Sequence, residues 1–157
     1  MPADFIKPVV ENTLRILEKY TLAELQPMDR EAITDFGKQF TGVVPNFPAL
    51  WVMPVRTTFD PDAQQSRRQE HLLRITIAVS GAEPDELDVL AMDYCKAVDR
   101  ALVAAELATP NEWQGLLVNG QVLRVFVVEH DYGPLFEVGK GLARYPEMTL
   151  LVETEEV

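Results

Sequence analysis

The sequence predicts an α+β fold: an antiparallel or mixed sheet of about four strands, with one long helix and an N-terminal helix packed on one face. Three observations predict it. Residues 69–80 alternate Leu73, Ile75, Ile77 and Val79 with Arg74, Thr76, Ala78 and Ser80, the period-two pattern of a strand. Residues 84–106 carry one apolar stripe of Leu87, Leu90, Ala91, Tyr94, Val98, Ala101, Leu102 and Ala105 at helical spacing. Strand-like segments lie on both sides of that helix in the chain, which puts the helices on one face of a sheet.

Taken in order, residues 5–20 read as the first helix. Val10, Leu14 and Leu17 recur on one side with Ile6 and Thr13 beside them, while Glu11, Arg15, Glu18 and Lys19 stay out. Pro8 sits in the first turn, where a missing N–H costs little. Thr21-Leu22-Ala23-Glu24 has the form of a capping box. Asp29 is placed to cap a short helix running to Phe36 and ended by Gly37. Gly42, Pro45 and Pro48 then mark a loop.

Residues 49–56 read as a strand, with Pro54 putting it at an edge or near a strand end. The polar run 57–68, which contains Pro61, reads as a long hairpin loop or protruding arm. Gly81 ends the strand 69–80. Pro84 at a first helical position and Asp85 and Glu86 at the positive end of the dipole start the long helix. Its roughly 23 residues span about 34 Å, enough to cross a small sheet. Pro110 and Asn111 close it off. Past Trp113 and an Asn119-Gly120 turn, residues 121–130 form a strand around Leu123, Val125 and Val127. Residues 134–143, rich in glycine, read as a loop. Residues 145–155 form the last strand, with Met148, Leu150 and Val152 on one face and Glu147, Thr149, Glu153 and Glu155 opposite or at its end. The 157 residues are expected to make one domain, with 1–46 as an N-terminal helix and loop region and 47–157 as sheet and long helix.

Composition narrows function. Fourteen basic residues face 25 acidic ones, a net charge of -11. Such a surface repels phosphate backbones and anionic membranes. It does not prevent DNA from sliding through a passage whose wall does not grip it. One cysteine, Cys95, excludes a disulfide framework within the chain. No basic-then-apolar leader and no membrane-length apolar run is present, so the chain is expected in the cytosol where it is made.

The residues of catalysis are present without their arrangements. His71 and His130 are the only histidines. Neighbours in Glu129-His130-Asp131 point to opposite faces of a strand, so they make a poor metal site. Both histidines read as partly exposed and satisfied. Cys95 in mid-helix lacks the help a helix N-terminus gives a thiolate, and reads as a packing residue. Ser66 and Ser80 have no glycine-flanked elbow. Gly139-Lys140-Gly141 is not followed by Ser or Thr and has no preceding phosphate-loop pattern. No catalytic residue, metal or cofactor is expected.

Interaction is the remaining signal. The 57–68 arm sets Arg67 and Arg68 against Asp60 and Asp62, and mixed-charge loops favour specific pairing between copies. Phe126 and Val128 lie opposite the Val125/Val127 face, and Leu151 sits among glutamates. A sheet apolar on both faces needs two covers. The second is either the first helix or a loop, or else a neighbouring molecule.

The runs FPALWVMPVRTTFD, HLLRITIAVSGAEPDELDVLAMDYCKAVDRAL, RVFVVEHDYGP and ARYPEMTLLVETEE resemble the small tail-terminator and tail-completion proteins of long-tailed bacteriophages. The resemblance covers roughly residues 47–155 and is one of order and spacing; residues 21–46 depart from it. It implies a ring, usually a hexamer, at the head-proximal end of the tail. Such a ring stops polymerisation of the tail tube and joins tail to head while DNA passes through as cargo. The implied partners are copies of the chain itself, the major tail tube protein and a head-completion or connector protein. The implied location is the virion, with the host cytoplasm during assembly. Thr57, Phe59, Asp60, Asp62, Arg67 and Arg68, with Phe126, Val128 and Leu151, are then the expected interface residues. Three other readings compete: a head-side connector, a small-ligand binding module with a pocket under the long helix, and an enzyme using His130 and Asp131.

Overall fold

The computed structural model describes residues 5–37, 46–59, 68–114, 117–139 and 141–156. Helix α1 spans Ile6–Leu25. Val9, Val10, Thr13, Ile16 and Leu17 are buried along one side, while Lys7, Glu18 and Lys19 are exposed. The helix runs past its expected end at residue 20. Thr21 does not cap a new helix; its hydroxyl donates to the Leu17 carbonyl at 2.6 Å within the same one. A 3-10 turn, Gln26–Met28, holds Pro27 and closes on Asp29 at φ 57°. Asp29 therefore ends a turn in the left-handed region, and the expected helix from Asp29 to Phe36 does not form. Strand β1, Asp35–Gly37, stands at its end instead. Gly42 and Pro45 lie outside the described residues.

Strands β2, Ala49–Phe59, and β3, Arg68–Gly81, form an antiparallel hairpin, and β1 pairs parallel to β2. The strand pairing reaches further than expected, from Thr57↔His71 to Phe59↔Gln69, so the two ends of the supposed arm are strand. A bulge falls between Pro54 and Arg56, on the stretch of β2 beyond its pairing with β1. That is where a residue without an N–H is tolerated. Helix α2, Pro84–Leu107, follows β3.

The last third of the chain is one long, kinked hairpin. Strand β4, Gly120–Asp131, pairs with β7, Glu147–Glu156, and β5, Leu135–Val138, pairs with β6, Gly141–Arg144. The β5–β6 pair replaces the loop expected at 134–143. Both β6 and β7 lie against β3, β7 along Arg68–Thr76 and β6 along Val79–Gly81. The Ile77 N–H donates to the Pro146 carbonyl at 2.9 Å across the break. The sheet is thus mixed and, among the described residues, has seven strands rather than about four. The kink sits at Gly133, with φ +70°, and at Tyr145-Pro146. There the Asp131 carboxylate accepts the Gly133 N–H at 2.9 Å and Arg144 Nε donates to the Gly133 carbonyl at 3.1 Å. Arg144 also pairs with Asp88 of α2.

Both helices pack on one face. Leu50, Val52, Leu73, Ile75, Ile77, Val79, Met148, Leu150 and Val152 meet Ile16, Leu17, Leu87, Ala91, Val98 and Leu102 there. Neither helix has a side-chain cap at its N-terminus. A cap is worth about 1 kcal/mol, whereas each buried Leu or Ile contributes roughly 1.5–3 kcal/mol, so packing and not capping sets these helices. The second face is not covered by α1. It has its own small cluster of Ala49, Trp51 and Ala78, under Phe47 and Tyr145.

Candidate interaction surfaces

The expected contact residues fall into two groups. Thr57, Phe59 and Arg68 lie at the far end of the β2–β3 hairpin. Thr57 is part of an internal network: its hydroxyl meets His71 Nδ1 at 3.0 Å, and His71 Nε2 meets the Thr154 hydroxyl at 2.9 Å. His71 is fully buried, which corrects the expectation of partial exposure. Phe59 is exposed, and Arg68 faces Glu155 at 3.9 Å. Asp60, Asp62 and Arg67 lie outside the described residues.

The second group is on the open sheet face. Phe126 pairs in register with Leu151, and the Arg124 guanidinium lies 5.3 Å from the Phe126 ring centre while Arg124 Nε holds Glu153 at 2.9 Å. Val128 is the extra residue of a bulge between Val127 and Glu129, and it is exposed. The sheet therefore unites Phe126 and Leu151 and sets Thr57 and Phe59 apart from them.

The two histidines lie on different strands. His71 is on β3 and His130 on β4, with β7 between the two strands. His130 Nε2 is 3.7 Å from Asp99 Oδ2. Among the described residues no group of three His, Cys, Asp or Glu side chains is placed to hold a metal. Burial, helped by the Asp99 carboxylate, pushes the Cys95 thiol up to about 12. Ser66 and Lys140 lie outside the described residues, and Gly139 and Gly141 flank the tip of the β5–β6 hairpin. Among the described residues no helix is long and apolar enough to cross a membrane.

Sequence reasoning missed one surface. The outer half of the kinked hairpin leans over the second sheet face and leaves a cleft of about 660 Å³. Apolar Met53, Pro134, Phe136 and Tyr145 line it together with Thr76, Asp131, Glu137 and the Arg74–Glu147 pair, whose charged atoms are 3.5 Å apart. The Phe136 and Tyr145 rings are 5.3 Å apart. The Thr76 hydroxyl is buried without a hydrogen-bond partner. The signal was there in Leu135-Phe136-Glu137-Val138, a glycine turn, then Leu142-Ala143-Arg144, which is a short hairpin pattern.

Strand edges differ in protection. The free edge of β4 carries two bulges and charged side chains, and that of β2 carries Pro54 and a bulge. These are the usual devices against unwanted pairing. Strand β5 has neither bulge nor proline, and Leu135, Phe136 and Val138 are all exposed.

No family model matches this sequence, and no curated protein matches it. Its fold is similar to that of a chain in the virion of a native gene transfer agent particle. The two are 16% identical, the match covers 88% of this chain and 94% of that chain, and the TM-score is 0.50. At that identity the likeness is one of fold.

Proposed function

We propose that this protein is a structural component of a phage-like virion: a tail-terminator ring, usually of six copies, at the head-proximal end of the tail. The carrying observation is the fold shared with a virion chain over nearly the whole of both chains. The surface supports the same reading. Apolar side chains stand exposed on the open sheet face and on β5, and the edge of β5 carries neither bulge nor proline. The ring would bind the last layer of tail tube protein and a connector protein of the head, and DNA would pass through it. A net charge of -11 suits a conduit that does not hold its cargo.

The test is loss of the protein during particle assembly. Without a terminator, tubes grow past their normal length and stay free of heads, as electron microscopy would show. Normal-length tubes lacking heads would place the protein on the connector side instead. Unaltered particles, with no copy of the chain in them by mass spectrometry, would overturn the virion reading.

A further inference from the structure

We infer that the cleft under the β5–β6 hairpin receives a lysine or arginine side chain from an extended segment of another protein, which pairs along the free edge of β5. The inference stands on the chemistry of the cleft itself and does not depend on the virion reading.

The lining of the cleft calls for a cation. Thr76, Glu147 and Asp131 stand side by side in register on β3, β7 and β4. Carboxylates directly opposite each other on paired strands repel, and Glu137 on β5 adds a third to the lining. Against these the lining holds one guanidinium, Arg74, whose Nε is 3.5 Å from Glu147. Among the described residues neither Asp131 nor Glu137 has a cationic partner. The Thr76 hydroxyl is a second, independent sign. Ile75 and Ile77 on either side of it face the core, so Thr76 faces the cleft that it lines. The residue is only 6% exposed and its hydroxyl has no hydrogen-bond partner, a state that native proteins rarely leave uncorrected. An ammonium or guanidinium brings several N–H donors and no acceptor, which suits carboxylates and a hydroxyl oxygen alike.

The walls suit the rest of such a side chain. Met53, Pro134, Phe136 and Tyr145 are apolar, and lysine and arginine lay their methylene stems along apolar surface while the charged head reaches polar groups. A metal ion fits less well, because among the described residues no three His, Cys, Asp or Glu side chains are placed to hold one. A second copy fits less well too. At a net charge of -11 it brings repulsion to a site where carboxylates already predominate.

The strand edge makes the occupant a chain segment rather than a free amine. Among the described residues β5 pairs only with β6, so its other edge is open. Phe136, Glu137 and Val138 all line the cleft. Neighbouring side chains of a strand point to opposite faces, so a cleft that touches all three follows the edge of the strand. Neither bulge nor proline on that edge turns a visitor away. An extended segment added there makes main-chain hydrogen bonds with β5 while alternate side chains enter the cleft.

Heteronuclear NMR titration tests this with blocked peptides about six residues long, an ordinary strand length. They alternate threonine and valine and carry lysine, arginine, glutamate or methionine at one central position. The lysine and arginine peptides are expected to saturate, to move the amides of β5, Thr76 and Asp131, and to bind about tenfold more tightly than the other two. Asp131→Asn keeps the oxygen that accepts the Gly133 N–H, and Glu137→Gln lies on an exposed strand. Each should weaken the basic peptides while the chain still melts cooperatively. Thr76→Val should weaken them too while raising the urea midpoint. Should one substitution disturb folding, the other two carry the test. No saturation by either basic peptide, equal binding of the glutamate peptide, or affinity unmoved in every variant would overturn the inference. Blocked lysine that binds as tightly as the peptides and leaves β5 unmoved would make this a site for small amines. Self-association of the free chain through the same amides would make a second copy the occupant. Either result overturns the inference as well.

Discussion

At the scale of single residues, Glu112 shows how a short segment is fixed without a large core of its own. Lys19 Nζ at 2.5 Å, Arg15 Nη1 at 2.8 Å and the Tyr20 hydroxyl at 3.2 Å all reach its carboxylate. The hydrogen bonds from Lys19 and then Arg15 pull its pKa down to about 2, and the bond to Glu112 raises that of Lys19. A carboxylate with a lowered pKa stabilises the fold fully above its ordinary value of 4.5, and that contribution fades as the pH falls towards 2. Glu112→Gln is therefore expected to lower the melting temperature at neutral pH and to flatten its decline across that acid range. Identical slopes for the two proteins by circular dichroism would contradict the clamp. Thr76 carries the opposite expectation. Its buried hydroxyl has no partner, and replacing an unsatisfied polar group by an apolar one of the same shape removes a desolvation cost. Thr76→Val should stabilise the isolated chain by about 1 kcal/mol, read as a higher urea midpoint at unchanged slope. A loss of stability would mean that the hydroxyl is bonded in solution.

At the scale of elements, the parts with strong periodicity were legible and the parts governed by pairing were not. The alternation of Leu73 to Val79 and the stripe from Leu87 to Ala105 predicted β3 and α2 because each element buries one face against the same core. Asp29 misled because an aspartate that caps a helix and one that closes a turn at positive φ have the same local sequence. Residues 134–143 misled because three nearby glycines suggested a loop, although only Gly133 and Gly139 adopt positive φ, and these mark a kink and a turn between strands. The two glycines should respond differently. A Cβ at Gly133 would stand 2.8 Å from the Tyr145 carbonyl oxygen, whereas one at Gly139 would meet nothing within 4 Å. Both alanine variants pay for left-handed backbone, roughly 1–2 kcal/mol, but Gly133→Ala must also move the kink. It should cost clearly more in denaturant titrations and speed amide exchange across β5 and β6. Equal costs at the two sites would show that the kink yields freely. The cleft was hidden for the same reason as the hairpin: it is made by a bend that brings Phe136 over Met53 and Thr76, strands apart in sequence.

At the scale of the whole molecule, two features bear on the proposal that DNA passes through an assembly of this chain: excess negative charge and exposed apolar surface. The 25 acidic side chains outnumber the basic ones by 11, and the described arginines are largely spent on carboxylates. Arg15 is tied to Glu112, Arg30 to Asp93, Arg124 to Glu153 and Arg144 to Asp88. An arginine already paired to a carboxylate would have to give up that bond before neutralising a phosphate, so even a basic side chain at the surface offers DNA little. Affinity for duplex DNA grows with the number of phosphates neutralised and with falling salt, so low salt is the severe condition. Fluorescence anisotropy with a labelled duplex at about 50 mM salt is expected to show no binding by the wild type. Substituting the exposed glutamates of the open face, Glu70 and Glu129, by lysine should not create binding either if that face is buried between copies in the assembled state, whereas it should do so in a monomeric variant. Salt-sensitive binding by the unaltered protein would reverse the reading, because a passage lined by such a surface would hold its cargo instead of releasing it.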